Sequence, residues 1–190
     1  LKEVPLAITA FDSDTIAATG IASLGDVADL TPGLSFFNAF GDVLPVPVIR
    51  GVVPTDIFGQ NNAAVFVDGV YVAGREGLNF DLVDVQRIEV VKGPQSALYG
   101  RTAFSGAINY VSKRPSAEFE SKLILEAGNA GKLKGSVLLS GPLVGETLRY
   151  RVAALYDAFD GSYPNALPAG NNIGGFRKRS FQLALNWTPV

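Results

Sequence analysis

The stretch with the spacing closest to a reactive loop is Gly93 to Thr102, GPQSALYGRT. A phosphate-binding loop needs G-x-x-x-x-G-K-[ST], so that backbone amides cradle the phosphate and the lysine reaches it. Here six residues separate the glycines and Arg101 stands where the lysine is required, which argues against a nucleotide site. Gly20 to Gly25 has the right interval, but Asp26 follows it, and a carboxylate there would repel phosphate. Three acid pairs, Asp12 with Asp14, Asp26 with Asp29 and Asp81 with Asp84, have the spacing of acid–base dyads or hard-metal ligands. Each falls at a helix start or on a polar helix face, where capping and solvation account for it. The chain has no histidine and no cysteine. Those absences remove the commonest zinc, copper and haem ligands and every Ser-His or Cys-His arrangement. No catalytic residue, metal centre or cofactor is expected.

What remains is chemistry of binding. Phe58, Gln60, Asn61 and Asn62 combine an aromatic face with neutral amide donors and acceptors in the loop Pro54 to Asn62, a mixture suited to a polar organic ligand. Turn formation explains the same residues. Arg50, Arg87, Glu89, Lys92 and Arg101 are charges on short β-rich segments; in an isolated domain they would be solvated surface.

The elements that must position these groups can be read in order. Val4 to Phe11 alternates into a strand, Asp12 or Ser13 caps a helix containing Ala17 and Ala18, and Gly20 ends it. Ser23-Leu24-Gly25-Asp26 has capping-box spacing, with Val27 and Leu30 toward the core and Thr31-Pro32-Gly33 as a stop. Phe36 to Pro47 is apolar but broken by Gly41, Pro45 and Pro47, so a loop or edge strand is predicted; with Pro54 to Asn62 and Ala73 to Asn79 it is one of three places for ligand contact. Val48 to Gly51 is a short strand carrying Arg50. Ala63 to Val67 and Val70 to Val72 flank Asp68-Gly69, the strongest short hairpin signal. Ala73 to Asn79 is a second loop and Phe80 to Val85 a short helix. Arg87 to Val91 is a strand, Pro94 opens a short helix ending at Gly100, and Ala107 to Val111 is another strand.

RIEVVKGPQSALYG, from Arg87 to Gly100, followed by A-x-S-G-A-I-N from Ala103 to Asn109, resembles the plug-domain signature of TonB-dependent outer-membrane receptors. VPLAITAF at Val4 to Phe11, SLGDVADLTPGLSF at Ser23 to Phe36, IRG at Ile49 to Gly51 and VFVDGVYV at Val65 to Val72 agree in the same order. The resemblance covers about residues 1 to 115. Ser105 stands where the family has the first of two glycines. The resemblance implies an α+β plug and energised uptake of a scarce ligand such as a ferric siderophore, cobalamin or a glycan, driven by the inner-membrane TonB complex. It implies ligand contact in the loops after the IRG strand and after the Asp-Gly hairpin, at Phe58, Gln60, Asn61, Asn62, Arg75 and Asn79. It also implies that Arg50 and Arg87 pair with barrel carboxylates expected beyond Val190, and that Glu89 and Arg101 likewise face the polar barrel wall.

After Pro115 the pattern changes. Glu118 to Ala127, Leu133 to Leu139, Leu148 to Ala158 and Phe181 to Trp187 alternate apolar and polar residues. Strands of about 9 to 11 residues suit a transmembrane barrel wall, and a soluble sandwich would show the same alternation. Following a plug-like domain, the barrel is the reading: residues 1–115 a plug, 116–190 the first four antiparallel β-strands of an incomplete transmembrane β-barrel. Gly141 to Glu146 would be a periplasmic turn and Asp160 to Gly175 an outer loop. Charge changes with the pattern: residues 1–113 hold 7 Lys/Arg against 12 Asp/Glu, residues 114–190 hold 9 against 6. A formal net charge of -2 argues against a nucleic-acid surface, and no run reaches the ~20 apolar residues of a membrane helix. The chain lacks a starter methionine and a signal peptide, so a piece of a longer exported chain is expected, located in the bacterial outer membrane and in contact with its lipid. The alternatives are a soluble α+β plus β-sandwich module, carbohydrate-binding or enzymatic, and a receptor that mainly signals.

Overall fold

The computed structural model describes residues 7–42, 45–54, 59, 61–74, 78, 83–100, 103–165 and 172–189. The chain forms two compact units, Leu1–Lys113 and Arg114–Val190.

In the first unit the strands β1 (Ala7–Asp12), β4 (Ala63–Val67), β5 (Val70–Tyr71), β6 (Val85–Lys92) and β7 (Gly106–Ser112) make one sheet, ordered β1-β6-β7-β4-β5. All pairs are antiparallel except β4 with β7. One face carries the core: Phe11, Val65, Ile88, Val90, Ile108 and Tyr110, all buried. Two short helices cover it. α1 (Ser13–Thr19) begins where Asp12 accepts a 2.8 Å bond from the Thr15 amide, and ends at Gly20 in the left-handed conformation. α2 (Leu24–Asp29) carries the full capping box of Ser23 and Asp26 and buries Leu24 and Val27.

Four local expectations need correction. Leu30 is exposed, because α2 stops at Asp29 and the turn that follows puts Thr31, not Leu30, into the interior. Of the two readings open for Phe36 to Pro47, edge strand holds and loop does not: β2 (Leu34–Asp42) pairs with β3 (Pro45–Ile49) in a ribbon, where each strand has an unpaired edge that tolerates proline. Arg50 is not in the strand but just beyond it, at φ 53. The helix α3 (Ser96–Tyr99) starts two residues after Pro94, because the Gly93 and Gln95 amides first donate to the Ser105 and Ala103 carbonyls. The first half of the helix predicted over Phe80 to Val85 lies outside the described residues, and the second half is not helical: Asp84 sits at φ 57 and Val85 opens β6.

In the second unit β8 (Glu120–Ala127), β9 (Leu133–Val144), β10 (Leu148–Phe159) and β11 (Phe176–Trp187) form an antiparallel meander. β9 runs past the expected turn. Pro142 lies opposite Arg149, at a register shift between Leu148 and Arg149, and a bulge is where a strand accommodates proline. The turn is therefore Gly145–Thr147, closed by the Thr147 amide on the Val144 carbonyl.

Candidate functional site

The first unit gathers its loops at one end of the sheet. Ala63 and Lys92 both lie beside Gly106 in the register, so the segments leading into β4, out of β6 and into β7 meet there. The chain leaving β5 heads for the same end, since the Val72 amide bonds the Val65 carbonyl. Two of the three sequence-predicted ligand loops, Pro54 to Asn62 running into β4 and Ala73 to Asn79 following β5, thus join the sheet at one end. Phe58, Gln60, Arg75 and Asn79 lie outside the described residues. Asn61 is buried, at 6% exposure, and Asn62 is half-buried. The Asn62 carbonyl accepts from the Ser105 amide, and the Ser105 carbonyl accepts from Gly93. Three short connections are thereby tied together.

Gly106 is the position at this end where a side chain cannot be added. A Cβ there would lie 2.3 Å from the Val91 carbonyl oxygen and 2.7 Å from Ile49 Cδ1, on a backbone at φ +155. Ser105 is not among the residues at positive φ; its backbone supplies both loop ties and its small side chain is buried. Arg50 also belongs to this end. Its amide donates to the Gly33 carbonyl at 2.7 Å, and a Cβ on Gly93 would lie 3.2 Å from its guanidinium Nη1. Lys92 reaches the Pro32 carbonyl at 3.2 Å.

Arg87 and Glu89 stand on the sheet face opposite the core. Arg87 Nε donates to Glu89 Oε1 at 2.6 Å, and Asn109 Nδ2 donates to Glu89 Oε2 at 3.0 Å. Hydrogen bonding from Arg87 first, then from Asn109, holds the Glu89 carboxyl below the usual glutamate range. Arg101 is outside the described residues. Next to this group lies an aromatic cluster absent from the sequence-based expectations: Phe66 with Tyr71 (ring centroids 5.7 Å) and with Tyr99 (5.2 Å). The first pair was readable, because a two-residue Asp-Gly turn sets Phe66 opposite Tyr71; Tyr99 arrives through tertiary packing. Of the acids weighed as dyads, Asp12 and Asp26 are spent on helix caps, and Asp81 is outside the described residues. Tyr110 is a core residue whose phenol is pushed up by burial.

The second unit has its polarity reversed. Its register aligns Leu123 with Val137, Val137 with Ala154, and Ala154 with Phe181 on one face. That face is open: Leu125 and Trp187 are each 72% exposed, and Phe181, Leu183 and Leu185 are exposed with them. The other face buries polar groups, with Ser140 at 0% and Arg151 at 5% exposure. Ser140 Oγ donates to the Tyr150 carbonyl and accepts from the Ser116 amide, while Arg151 Nη1 pairs with Glu120 at 3.2 Å. A sandwich sheet would bury the apolar face; a barrel wall shows it to lipid and keeps a polar interior.

The family model that matches residues 1–107 is the TonB-dependent Receptor Plug Domain. The chain belongs to this family. The pesticin receptor of Yersinia pestis is 25% identical to it over 181 residues, 95% of this chain and 27% of that protein. The vitamin B12 transporter BtuB of Vibrio vulnificus is 33% identical over 134 residues, 68% of this chain and 21% of that protein. The crystal structure of the ferric yersiniabactin uptake receptor FyuA from Yersinia pestis matches with a TM-score of 0.88 at 25% identity, over 97% of this chain and 29% of that one. The receptor segment described here thus spans about a quarter of the length of the relatives it matches. Its relatives are outer-membrane transport receptors, and its fold is a receptor plug with antiparallel strands of a partial barrel.

Proposed function

We propose that residues 1–115 are the plug and residues 116–190 the first four barrel strands of an outer-membrane receptor that takes up a scarce ligand with energy delivered by TonB. The observation that carries this reading is the reversed polarity of the strand sheet that follows a plug fold in the chain, with its apolar face exposed and its polar groups buried. The ligand class we assign is a ferric siderophore, with cobalamin or a glycan as the alternatives; the name of the ferric yersiniabactin uptake receptor supports the first and that of the vitamin B12 transporter supports cobalamin. Phe58, Gln60, Asn61, Asn62, Arg75 and Asn79 form or brace the ligand contact, consistent with both loops leaving the same sheet end. Arg50, Arg87, Glu89 and Arg101 seat the plug against the polar wall, where a partly hydrated ion pair fixes position more than it adds stability. A soluble carbohydrate-binding or enzymatic module is disfavoured, since it would leave the apolar face of the strands in water.

Ligand capture needs no covalent chemistry. Release does need work, and an outer membrane has no nucleotide supply, so the plug must be rearranged by a pull from the periplasm while the wall stays fixed. In cells carrying the full-length receptor, uptake of labelled ferric siderophore should stop when the inner-membrane energy source is removed, with surface binding retained. A disulfide from a plug residue near Arg87 to the facing wall should block uptake when oxidised and restore it when reduced. Uptake that continues without the energy source would replace this reading by a passive channel.

A further inference from the structure

The face that the barrel reading gives to lipid carries charge at one rim only. Along β11 it presents Arg177, Arg179, Phe181, Leu183, Leu185 and Trp187, and the register continues it through Ala158 and Tyr156 on β10. Among the described strand residues of this face, Arg177 and Arg179 are the charged ones; Leu148 and Trp187 end it at the opposite rim. The connections say which rim is which. At the rim away from the arginines β9 and β10 are joined by the tight turn Gly145–Thr147, whereas at the arginine rim Gly128–Lys132 joins β8 to β9 and residues 160–175, the longest connection of the sheet, join β10 to β11. In such barrels short turns face the periplasm and long loops face outward, so the two arginines stand at the outer leaflet's headgroup layer.

Both side chains are already steered along the surface. The Arg179 guanidinium lies 5.9 Å from the centroid of the Tyr156 ring, and Arg177 Nη2 is 3.7 Å from an Asp160 carboxylate oxygen, with both groups largely in solvent. Each contact engages part of a planar guanidinium and leaves donors that can meet a phosphate two at a time. Alternation places them two residues apart on one face, directly above the apolar band. We propose that Arg177 and Arg179 dock the phosphate groups of an anionic outer-leaflet lipid whose acyl chains lie on Phe181, Leu183 and Leu185. This rests on the barrel reading above.

The test uses the purified full-length receptor in detergent, with its thermal unfolding followed after adding bisphosphorylated lipid A, its monophosphorylated form, phosphatidylcholine or inorganic phosphate. The bisphosphorylated lipid should raise the midpoint above the phosphatidylcholine value by about 3 °C, the monophosphorylated form by less. Arg177→Gln with Arg179→Gln should erase that difference, and Arg177→Lys with Arg179→Lys should retain part of it. A double Gln variant with the wild-type lipid preference overturns the proposal, as does an equal response to every lipid, which would leave the arginines as snorkelling side chains. An equal effect of inorganic phosphate would make this a free-anion site and overturn it too. A full-length chain that folds in plain buffer without detergent defeats the barrel reading itself, a result distinct from lost lipid selectivity in a folded receptor.

Discussion

The two units solve the same problem, disposing of apolar side chains on a sheet, in opposite ways. The plug sheet turns Val65, Ile88, Val90 and Ile108 inward until they are wholly buried, beneath two capped helices and a proline-bearing ribbon. The strand sheet turns Leu123, Leu125, Phe181 and Trp187 outward and buries Ser140 and Arg151 instead. Alternation alone is identical in both. What differs is the solvent: the first is built for water, where apolar burial drives folding, and the second for lipid, where backbone groups must all be paired and the outer face must be apolar.

The largest effect should come from separating them. Residues 1–115 expressed alone should stay soluble, while residues 116–190, with two unpaired sheet edges, should aggregate or fail to fold in buffer. A monomeric, cooperatively unfolding 116–190 fragment would break the comparison outright. Next, Gly106→Ala should destabilise the plug by about 3 kcal/mol or more, because the new Cβ meets the Val91 carbonyl on a strained backbone; chemical denaturation of residues 1–115 would measure it. At Ser105 the same change should be mild.

In the lipid-facing unit, Leu183→Arg should cost about 2 to 4 kcal/mol in a membrane or micelle, and Gln182→Arg, on the other face, far less. Unfolding titrations of the full-length receptor in detergent would compare them. The smallest effect concerns Glu89. Its carboxyl is held below the usual range by Arg87 and Asn109, so its contribution is present at neutral pH and is lost as pH falls through that lowered value. Glu89→Gln should therefore weaken the plug by under about 1 kcal/mol at neutral pH, the pair being partly solvated. The gap should close in acid; a gap that widened on acidification would contradict the assignment.

Local chemistry made part of this legible. Helix caps at Asp12, Gly20 and Ser23 and the Asp-Gly hairpin were readable because each is settled within a few residues. The β2–β3 ribbon was readable only as one of two alternatives, since Pro45 and Pro47 fit a loop or an edge strand until the partner strand is known, and the order β1-β6-β7-β4-β5 depends on non-local pairing. At the candidate site the loops were recognisable, whereas the meeting of Arg50 with Gly93, or of Tyr99 with Phe66, follows only from packing. In the strands the two faces could be sorted by residue type, but nothing in a period of two says whether the apolar face meets a core or a bilayer.

That direction is also what a single measurement can decide. The segment lacks cysteine, so nitroxide labels can be placed one at a time along β8 and β11 of the full-length receptor in bilayers, with oxygen and a water-soluble nickel complex as collision partners. A membrane wall should give a period of two, with oxygen-rich, nickel-poor signals at Leu123, Leu125, Phe181, Leu183 and Leu185, and the reverse or low access to both at Lys122, Ile124, Gln182 and Ala184. The same scan through Ile88 to Val91 of the plug should show no lipid contact. Lipid access on the opposite phase, or no alternation at all in the strands, would contradict the claim that this sheet is a membrane wall.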